Sequence, residues 1–398
     1  MTFSLLQGLR VVELGESVSA PYCTKLLADM GAEVVKIERP GVGDQAREYG
    51  PFLNDEPHHE RSGLFLYLNS NKQGITLDLD TPTGREILGE LLAESQVFVH
   101  NLHPTEMDRL GVNYGTLKSH NDHLVMASIT PFGLTGPYRH YKAYDINLAA
   151  AGGICEGLGS PDREPLTFGT PEVGYFAAMA AASSVVIALL AGQGQHIDIA
   201  EVESMAGIYN GPEALMAVYQ WRMTRRTGHH ALDFPYPNCI LRCKDGYIFV
   251  GSPEGRQWRT LLEVMGQPEW AKEDRFRNRT AMNNEYADEV DGYMEEWLLR
   301  YTKAELLALA LEHRIPLAPV RDFKEVRNDE SLTDQFVAID RTDTGPVFFP
   351  GSPYSLSAQE VVLPRPAPLL GQHNSDIYCG RLGYSKEELV KLYQTGII

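Results

Sequence analysis

The sequence predicts an α/β fold, with a Rossmann-like large domain formed by the N- and C-terminal parts of the chain and a smaller α+β domain inserted between them. Short β-branched runs alternate with segments of helical spacing through the first half, which is typical of a parallel sheet covered by helices. A hairpin-like pair and amphipathic helices follow. At 398 residues the chain is also too long for one ordinary core. We expect the large domain at residues 1–224 and 321–398, and the small domain at 225–320.

The N-terminal segments predict the first unit of the sheet. Residues 9–14 and 32–37 are hydrophobic strands, and Leu26, Leu27 and Met30 between them lie at helical spacing. A strand–helix–strand unit of this kind has a right-handed crossover. The turn at residues 16–21 lacks the Gly-x-Gly-x-x-Gly pattern of a dinucleotide site, which argues against a nicotinamide-dependent dehydrogenase.

The same alternation continues along the chain. Thr81 and Pro82 predict the N-cap and first turn of a helix that runs to Ala93. Lys244-Asp245-Gly246 predicts the turn of a hairpin in the small domain. Further strands are expected at residues 74–80, 96–102, 124–129 and 195–199, and small-domain helices at 258–265, 288–301 and 303–314.

The uncharged segment 173–191 is long enough to raise the question of a membrane span. It is rich in Ala, Ser and Gly, it lacks Lys or Arg flanks, and it runs at once into a predicted strand. We therefore expect a buried helix packed closely by small residues.

Charge and cysteine content limit the class of partner and the compartment. A formal net charge of −18 and a pI of about 5.1 repel phosphate backbones, so we expect neither a nucleic-acid partner nor an anionic membrane surface. The five cysteines are scattered and the chain does not begin with a secretory pattern. These features predict a cytoplasmic protein.

No metal site is expected from the sequence. Cys239 and Cys243 are not followed by a second pair or by suitably spaced histidines, so they are interpreted as core or strand thiols. His58-His59 and His229-His230 are adjacent pairs whose side chains would point to opposite sides of a strand. Such pairs rarely share an ion.

A series of short motifs, in this order and spacing, resembles the class III coenzyme A-transferases of the CaiB/BaiF type: residues 8–13, 31–40, 43–44, 69–72, 142–147 and 367–371. The resemblance covers nearly the whole chain. It implies a CoA thioester as substrate, no tightly bound metal or redox cofactor, and two chains that interlock as rings, each formed by a large and a small domain.

The resemblance also implies a set of CoA contacts. Two family lysines are replaced here, by Thr130 and Asp80. By resemblance, the positions that contact CoA are Ser17, Val18, Ser19, Arg39, Leu77, Asn101, Leu102, Arg109 and Lys142. Basic residues near predicted strand ends independently suit the phosphates of such a ligand, although each could instead be a solvated surface cation: Arg39, Lys72, Arg109, Arg139 and Lys142.

The family position of the catalytic aspartate falls on Gly174. In the family that aspartate attacks the thioester and carries CoA as an enzyme thioester, which glycine cannot do. Glu172, two residues away, is the candidate nucleophile of the chain itself. Thr170-Pro171-Glu172 also predicts the N-cap and first turn of the uncharged helix, where a carboxylate complements the dipole. Asp145 is a further carboxylate candidate.

These observations lead to two main hypotheses. In the first, the chain is the non-catalytic subunit of a heteromeric CoA-transferase that moves CoA from a succinyl-CoA-like donor to an organic acid, and a paralogous subunit supplies the aspartate. In the second, an interlocked homodimer uses Glu172 as a CoA-transferase or acyl-CoA hydrolase. A 2-methylacyl-CoA racemase has less support, because its histidine position is Tyr144 and its aspartate position is Gly174 or Val173. An inactive CoA-binding scaffold is a further hypothesis.

Overall fold

A computed structural model describes residues 4–208, 218–219, 226–231, 234–252, 254–332, 336–341, 345–357 and 365–398. Contacts divide the chain into two compact units. The first comprises Met1–Ile154, Thr167–Trp221 and Asp334–Ile398, and the second Cys155–Leu166 and Arg222–Thr333. Residues 155–166, expected in the large domain, thus group with the smaller unit. The predicted boundary at residues 224–225 lies outside the described residues.

A six-stranded parallel sheet organises the first unit, which confirms the predicted α/β class. Its central strands β4 and β5 are buried on both faces, as expected for β-branched runs that helices cover from both sides, whereas the edge strand β6 is partly exposed. Across the sheet the strands lie in the order β3, β2, β1, β4, β5, β6. Their bounds are β1 Arg10–Leu14, β2 Glu33–Glu38, β3 Gln73–Thr76, β4 Val97–His100, β5 Val125–Thr130 and β6 Gln195–Ala200.

The helices of the first unit connect these strands. Thr81 caps the third helix as predicted, since its hydroxyl accepts the Gly84 N–H at 3.0 Å. The helices are α1 Ser19–Asp29, α2 Gly63–Leu68, α3 Pro82–Ala93, α4 Pro104–Leu110, α5 Tyr114–Leu117, α6 Asp145–Ala151, α8 Glu172–Ala191 and α9 Glu201–Ile208, with α7 Ile154–Gly157 at the junction of the two units. Short 3-10 turns occupy Gln45–Glu48 and Leu53–Asp55.

The predicted strand at 74–80 is too long, because the strand ends at Thr76. Beyond it the backbone turns, and the Asp78 N–H donates to the Ile397 carbonyl at 2.7 Å. The carboxyl-terminal segment therefore returns to the sheet of the first unit. It contributes a hairpin and two further helical segments: β10 Phe336–Arg341, β11 Gly345–Pro350, the π-helical Ser375–Arg381 and Lys386–Gln394.

Two hydrophobic clusters cover the two faces of this sheet. On one face, Val12 and Phe98 pack with Leu88 of α3 and with Tyr378 from the carboxyl-terminal segment. On the other, residues such as Val11 and Val99 pack with alanines of α8. Successive residues of one strand, such as Val11 and Val12, thus lie on opposite faces of the sheet.

The helix Glu172–Ala191 is long and apolar enough to span a membrane by length and composition. In the structure its small residues are buried against the sheet and α1, with Ala177, Ala178 and Ala181 fully covered. This confirms the predicted packing by small side chains. Ile187 and Leu190 on the same helix are exposed.

The second unit is a small α+β domain. The hairpin predicted around Lys244-Asp245-Gly246 is confirmed, with Cys239 and Cys243 buried in its first strand as predicted. Its strands are β7 Asn238–Cys243, β8 Gly246–Gly251 and β9 Leu317–Pro319. Its helices are α10 Gly255–Val264, α11 Arg279–Glu285, α12 Ala287–Leu298, α13 Lys303–His313 and α14 Phe323–Arg327, with 3-10 turns at Glu269–Lys272 and Asp274–Phe276.

One prediction about this unit is wrong. His229 and His230 do not point to opposite sides of a strand, because both imidazoles contact the carboxylate of Asp291 on α12. The left-handed backbone of Gly228, at a φ of 66°, turns the chain just before them. The alternation of an extended strand is therefore lost at this pair.

Candidate active site

The candidate site lies at the carboxyl ends of the parallel strands in the first unit. The strand order reverses at β1, whose neighbours β2 and β4 lead to opposite sides of the sheet. Ligands of open α/β sheets bind in the crevice at such a switch point. The groove there is lined by residues that include Glu16, Arg39, Leu77, Asp80, Leu102 and Arg109.

The loop between β1 and α1 is held by side chains from two other strand ends. Asn101, just beyond β4, accepts the Glu16 N–H at 2.9 Å and donates to the Glu16 carbonyl at 2.7 Å. Asp44 accepts the Ser17 N–H at 2.8 Å. Ser17 itself adopts a left-handed φ of 65°. These contacts keep the predicted CoA loop, Ser17 to Ser19, in a fixed conformation.

A buried network of charged side chains lies next to this loop. Glu13 pairs with Lys36 at 2.7 Å and with Lys72 at 2.8 Å, and Lys36 also pairs with Asp44 at 2.8 Å. Burial raises the pKa of the Glu13 carboxyl, but Lys36 and Lys72 outweigh burial and bring that pKa down to about 2. Asp44 belongs to this network and its carboxylate also accepts the Ser17 N–H, so the network is bonded directly to the loop.

The network changes the interpretation of Lys72 as a ligand cation. Its side chain is fully buried and its ammonium donates to Glu13, Asn69 and the Pro21 carbonyl. Burial lowers its pKa to about 8, although Glu13 opposes this shift. Lys72 is therefore a structural cation, and the expectation that it faces a phosphate is wrong.

The remaining basic residues differ in their availability. Arg39 is largely exposed and lies 4.0 Å from the nearest Glu16 oxygen. Arg109 is held by Asp80 at 2.5 Å and by Glu106. Arg139 pairs with Asp108 at 3.3 Å. Lys142 is exposed just before α6, and within the described ranges it has no ion-pair partner.

Gly174 is buried in the first turn of α8, directly against the loop after β1. A β-carbon built on it would lie 3.1 Å from Val18 Cβ and 3.6 Å from the Ser19 nitrogen. The glycine position therefore adjoins the predicted CoA loop. The space that a side chain at this position would need is tight because Val18 occupies it.

The first turn of α8 is capped from another helix. The Asp145 carboxylate, at the start of α6, accepts the Gly174 N–H at 3.2 Å. Burial raises the pKa of Asp145, although the N–H groups of Gly174 and Val173 oppose this. Free N–H groups at a helix start attract negative charge, and Asp145 meets that need here.

The predicted cap of this helix is misplaced by one residue. The N-cap is Pro171 rather than Thr170, and it has no side-chain capping bond. The Thr170 hydroxyl instead donates to the Glu172 carboxylate. Glu172 is thus the first helical residue, half-buried, and placed near Asp145, whose pKa its charge helps to raise.

The sequence reasoning missed Glu201, the first residue of α9. It follows β6 directly, and its carboxylate lies near the Ser19 hydroxyl. Burial raises its pKa, and the charge of Asp145 adds to the rise although the Ser19 hydroxyl opposes it. The Ser19 oxygen also accepts from Asn101 at 3.2 Å. The sequence feature that could have identified Glu201 is its position at the carboxyl end of a predicted strand.

The arrangement brings three carboxylates, Asp145, Glu172 and Glu201, around the loop and helix start that adjoin Gly174. A carboxylate with a raised pKa is a stronger base than an ordinary one, and carboxylates form covalent acyl intermediates in enzymes. Perturbed carboxyl groups in a cleft are typical of functional sites. Asp145 and Glu201, whose pKa values are raised, are therefore candidates for acyl or proton transfer, and the neighbouring groove offers Arg39 and Arg109 among several carboxylates.

Comparison with known proteins gives a consistent result. A profile of the family described as CoA-transferase family III matches residues 6–374. The succinyl-CoA–D-citramalate CoA-transferase of Chloroflexus aurantiacus is 33% identical, over 99% of this chain and 98% of the relative. The succinyl-CoA:mesaconate CoA-transferase of Haloarcula hispanica is 32% identical, over 94% and 95%. The formyl-CoA:oxalate CoA-transferase of Streptomyces coelicolor is 32% identical over the full length of both chains.

A solved structure shares the fold. A CaiB/BaiF family protein from Brucella suis superposes with a TM-score of 0.85 at 29% identity, covering 96% of this chain and 100% of that one.

Proposed function

The chain belongs to CoA-transferase family III, and from this premise we propose that it takes part in moving CoA from a succinyl-CoA-like thioester to an organic acid. Two of the relatives are named for succinyl-CoA as donor. One observation supports the proposal most directly. The loop Glu16–Ser19 is held by hydrogen bonds to Asn101 and Asp44, and it lies beside Arg39 and Arg109 where the strand order of the sheet reverses. We expect the chain to act in the cytoplasm as part of an interlocked dimer.

The CoA contacts are proposed at the nine positions given by the resemblance. Eight of them follow the carboxyl ends of the parallel strands, and several of these line the groove there: Ser17, Val18, Ser19, Arg39, Leu77, Asn101, Leu102 and Arg109. The guanidinium groups of Arg39 and Arg109 suit a pyrophosphate and the nucleotide phosphate. Lys142 is proposed to contribute from the exposed segment before α6.

For the role of this chain we favour the non-catalytic subunit. Glycine at position 174 has no nucleophilic group, and Val18 lies where a side chain would extend. A related second chain that carries the family aspartate would then form the enzyme thioester. This chain would contribute architecture and its own CoA groove.

A second candidate is favoured by the carboxylates around Gly174. In this candidate a carboxylate of the chain itself attacks the donor carbonyl, CoA leaves as the thiolate, and a mixed anhydride forms. The thiolate then attacks the enzyme carbonyl and releases the donor acid. The acceptor carboxylate attacks the enzyme thioester, and the returning thiolate completes the transfer. Glu172 and Glu201 are the candidate nucleophiles, and water as acceptor would give hydrolysis.

A racemase and an inactive scaffold have less support. A racemase would need a base on each side of the carbon next to the thioester, but Tyr144 is an exposed phenol and Gly174 offers no group. An inactive scaffold would bind CoA without turnover in any assembly.

The test is intact-protein mass spectrometry after incubation with succinyl-CoA and trapping by hydroxylamine or borohydride. The chain is purified alone and co-expressed with a paralogous chain that retains the aspartate. Modification confined to the partner in a stable complex supports the favoured proposal. Modification of the isolated chain at Glu172 or Glu201 overturns it in favour of the second candidate. Matched Glu172→Gln and Glu201→Gln variants identify the residue, and CoA binding with no modification anywhere indicates the scaffold.

A further inference from the structure

The second unit contains a cluster of two histidines and a buried aspartate that the transfer chemistry does not use. The His229 Nε2 lies 2.9 Å and the His230 Nε2 2.8 Å from the same oxygen, Asp291 Oδ2. The three ligand atoms lie within 4.8 Å of one another. Two imidazole nitrogens therefore meet at one carboxylate oxygen.

We propose that His229, His230 and Asp291 bind a divalent transition-metal ion of the zinc class. Two imidazoles and one carboxylate form a ligand set that Zn²⁺ accepts, with the remaining position left to water. Hard cations such as Mg²⁺ prefer oxygen ligands and suit this set poorly. The proposal goes beyond CoA transfer and does not depend on it.

To admit the ion, the two hydrogen bonds must lengthen and the two imidazole nitrogens must move closer together. Ligand atoms at the usual zinc distances in a tetrahedral site are about 3.3 Å apart. The present separations of 2.8 and 2.9 Å are those of hydrogen bonds to a shared oxygen. Each of these two contacts therefore needs to lengthen by about 0.5 Å, and the two Nε2 atoms, which lie within 4.8 Å of each other, must approach the same spacing by rotation of the side chains.

The backbone around the cluster is anchored before any ion arrives. The Ile240 N–H donates to the His229 carbonyl at 3.1 Å, and the Ala231 N–H donates to the Asn238 carbonyl at 3.0 Å. These bonds fix the histidine pair alongside β7. The buried Tyr236 hydroxyl donates to Asp291 Oδ1 at 2.8 Å and so orients the carboxylate. Support of this kind from surrounding groups is typical of metal sites.

A second observation concerns the outer nitrogen of His230. The side chain is 9% exposed, and its Nδ1 has no hydrogen-bond partner within the described part of the chain. Asn283 Oδ1 is likewise buried without a partner there, and both residues line one cavity. When Nε2 binds the ion, Nδ1 carries the proton and becomes a hydrogen-bond donor.

Access to the cluster comes from the other histidine. The His229 side chain is about half exposed, so an ion and its remaining water ligand can reach the site from solvent. This exposure also makes His229 the best residue to substitute, because its removal leaves the buried Asp291 bonded to Tyr236 and His230.

The experiment is calorimetric titration of the chelator-treated full chain with Zn²⁺, repeated with Co²⁺ while its absorption spectrum is recorded. We expect one ion per chain and a Co²⁺ spectrum without the intense bands of thiolate ligands. His229→Ala should weaken binding at least tenfold, and Asp291→Asn should do the same. His313→Ala, which removes another histidine of the same unit, should leave binding unchanged.

Several results would overturn the proposal. Binding of less than one ion per chain, a thiolate spectrum, or an affinity unaffected by His229→Ala would each assign the cluster to hydrogen bonding alone. Thermal unfolding of each variant without metal is measured in parallel. Should Asp291→Asn fail to fold, the His229→Ala comparison decides the matter.

Discussion

The Asp145 carboxylate accepts a hydrogen bond from the backbone N–H of Gly174 at 3.2 Å. A carboxylate from α6 thus lies at the positive end of α8, beside Gly174. Glu172, the residue expected to meet that dipole, bonds to Thr170 instead. The chain therefore has a carboxylate beside position 174 but no side chain at the position itself.

The first prediction concerns an aspartate introduced at position 174. We expect Gly174→Asp alone to lower stability, because its β-carbon would meet Val18 at 3.1 Å and its charge would face Asp145. With Val18→Ala added, the contact is relieved, and we expect a succinyl-CoA-dependent enzyme thioester to become detectable by mass spectrometry. Gly174→Asn with Val18→Ala is the control of equal shape. A well-folded aspartate variant that traps nothing would show that the surrounding pocket no longer supports transfer.

Glu201 gives a prediction that separates the two candidate roles of the chain. If Glu201 is the nucleophile, Glu201→Gln should lower the transfer rate of the isolated chain by about a thousandfold or more, because the amide keeps the shape of the side chain but cannot attack the thioester. Glu203→Gln, on the exposed side of the same helix, should leave the rate unchanged. The measurement is the initial rate of succinyl-CoA consumption with an acceptor acid.

The pH profile adds a second measure of Glu201. Only the ionised carboxylate attacks, and its pKa is raised by burial. Activity should therefore rise as pH increases through a value above that of an ordinary glutamate, and stay high above it. Equal rates for Glu201→Gln and the unsubstituted chain would remove Glu201 from the mechanism.

Arg109 gives a prediction about CoA affinity. The guanidinium is held by Asp80 and Glu106, so a phosphate must displace these carboxylates. We expect Arg109→Ala to weaken CoA binding about tenfold. Asp80→Asn should strengthen it a few fold, because a competing negative charge is gone. Calorimetric titration with CoA at two salt concentrations measures both, with the exposed Arg277→Ala as the control. Equal CoA affinities for these variants and the unsubstituted chain would show that the phosphates of CoA do not contact Arg109.

The buried network around Glu13 predicts a large effect on stability. Glu13→Gln leaves Lys36 and Lys72 without their shared carboxylate, and loss of one partner in a buried ion network costs about 3–5 kcal/mol. Urea unfolding at pH 7 measures this loss. Glu33→Gln, an exposed glutamate of the next strand, should change the free energy of unfolding by less than about 0.5 kcal/mol.

The same network fixes the sign of a pH dependence. The pKa of Glu13 falls from 4.5 to about 2 on folding, so the unfolded chain binds the extra proton between these values. Its contribution to stability is present above pH 4.5 and is lost as pH falls toward 2. At about 1.4 kcal/mol per pKa unit, the loss is about 3 kcal/mol. The stability difference between the original chain and Glu13→Gln should therefore shrink across this window. A constant difference would contradict the assignment.

Much of the fold follows from local patterns. The β-branched runs, the Thr81-Pro82 helix start and the Lys244-Asp245-Gly246 turn are decided by propensity and backbone chemistry within a few residues. The predicted strands and helices at these places agree with the structure to within a few residues, apart from the strand that ends early at Thr76. The family motifs, which are also local, were enough to identify the class of enzyme.

The sequence by itself therefore determined the α/β class, the family and the absence of a side chain at position 174. The tertiary structure decided which charges serve the ligand and which serve the fold. Lys72 and Arg39 are both cations near a strand end, yet one is buried on Glu13 and the other is exposed. Glu201 and Asp145 meet at the loop after β1 from distant parts of the chain, as His229 and Asp291 meet in the second unit. Pairing energy and burial depend on distances between such segments, which no local pattern specifies.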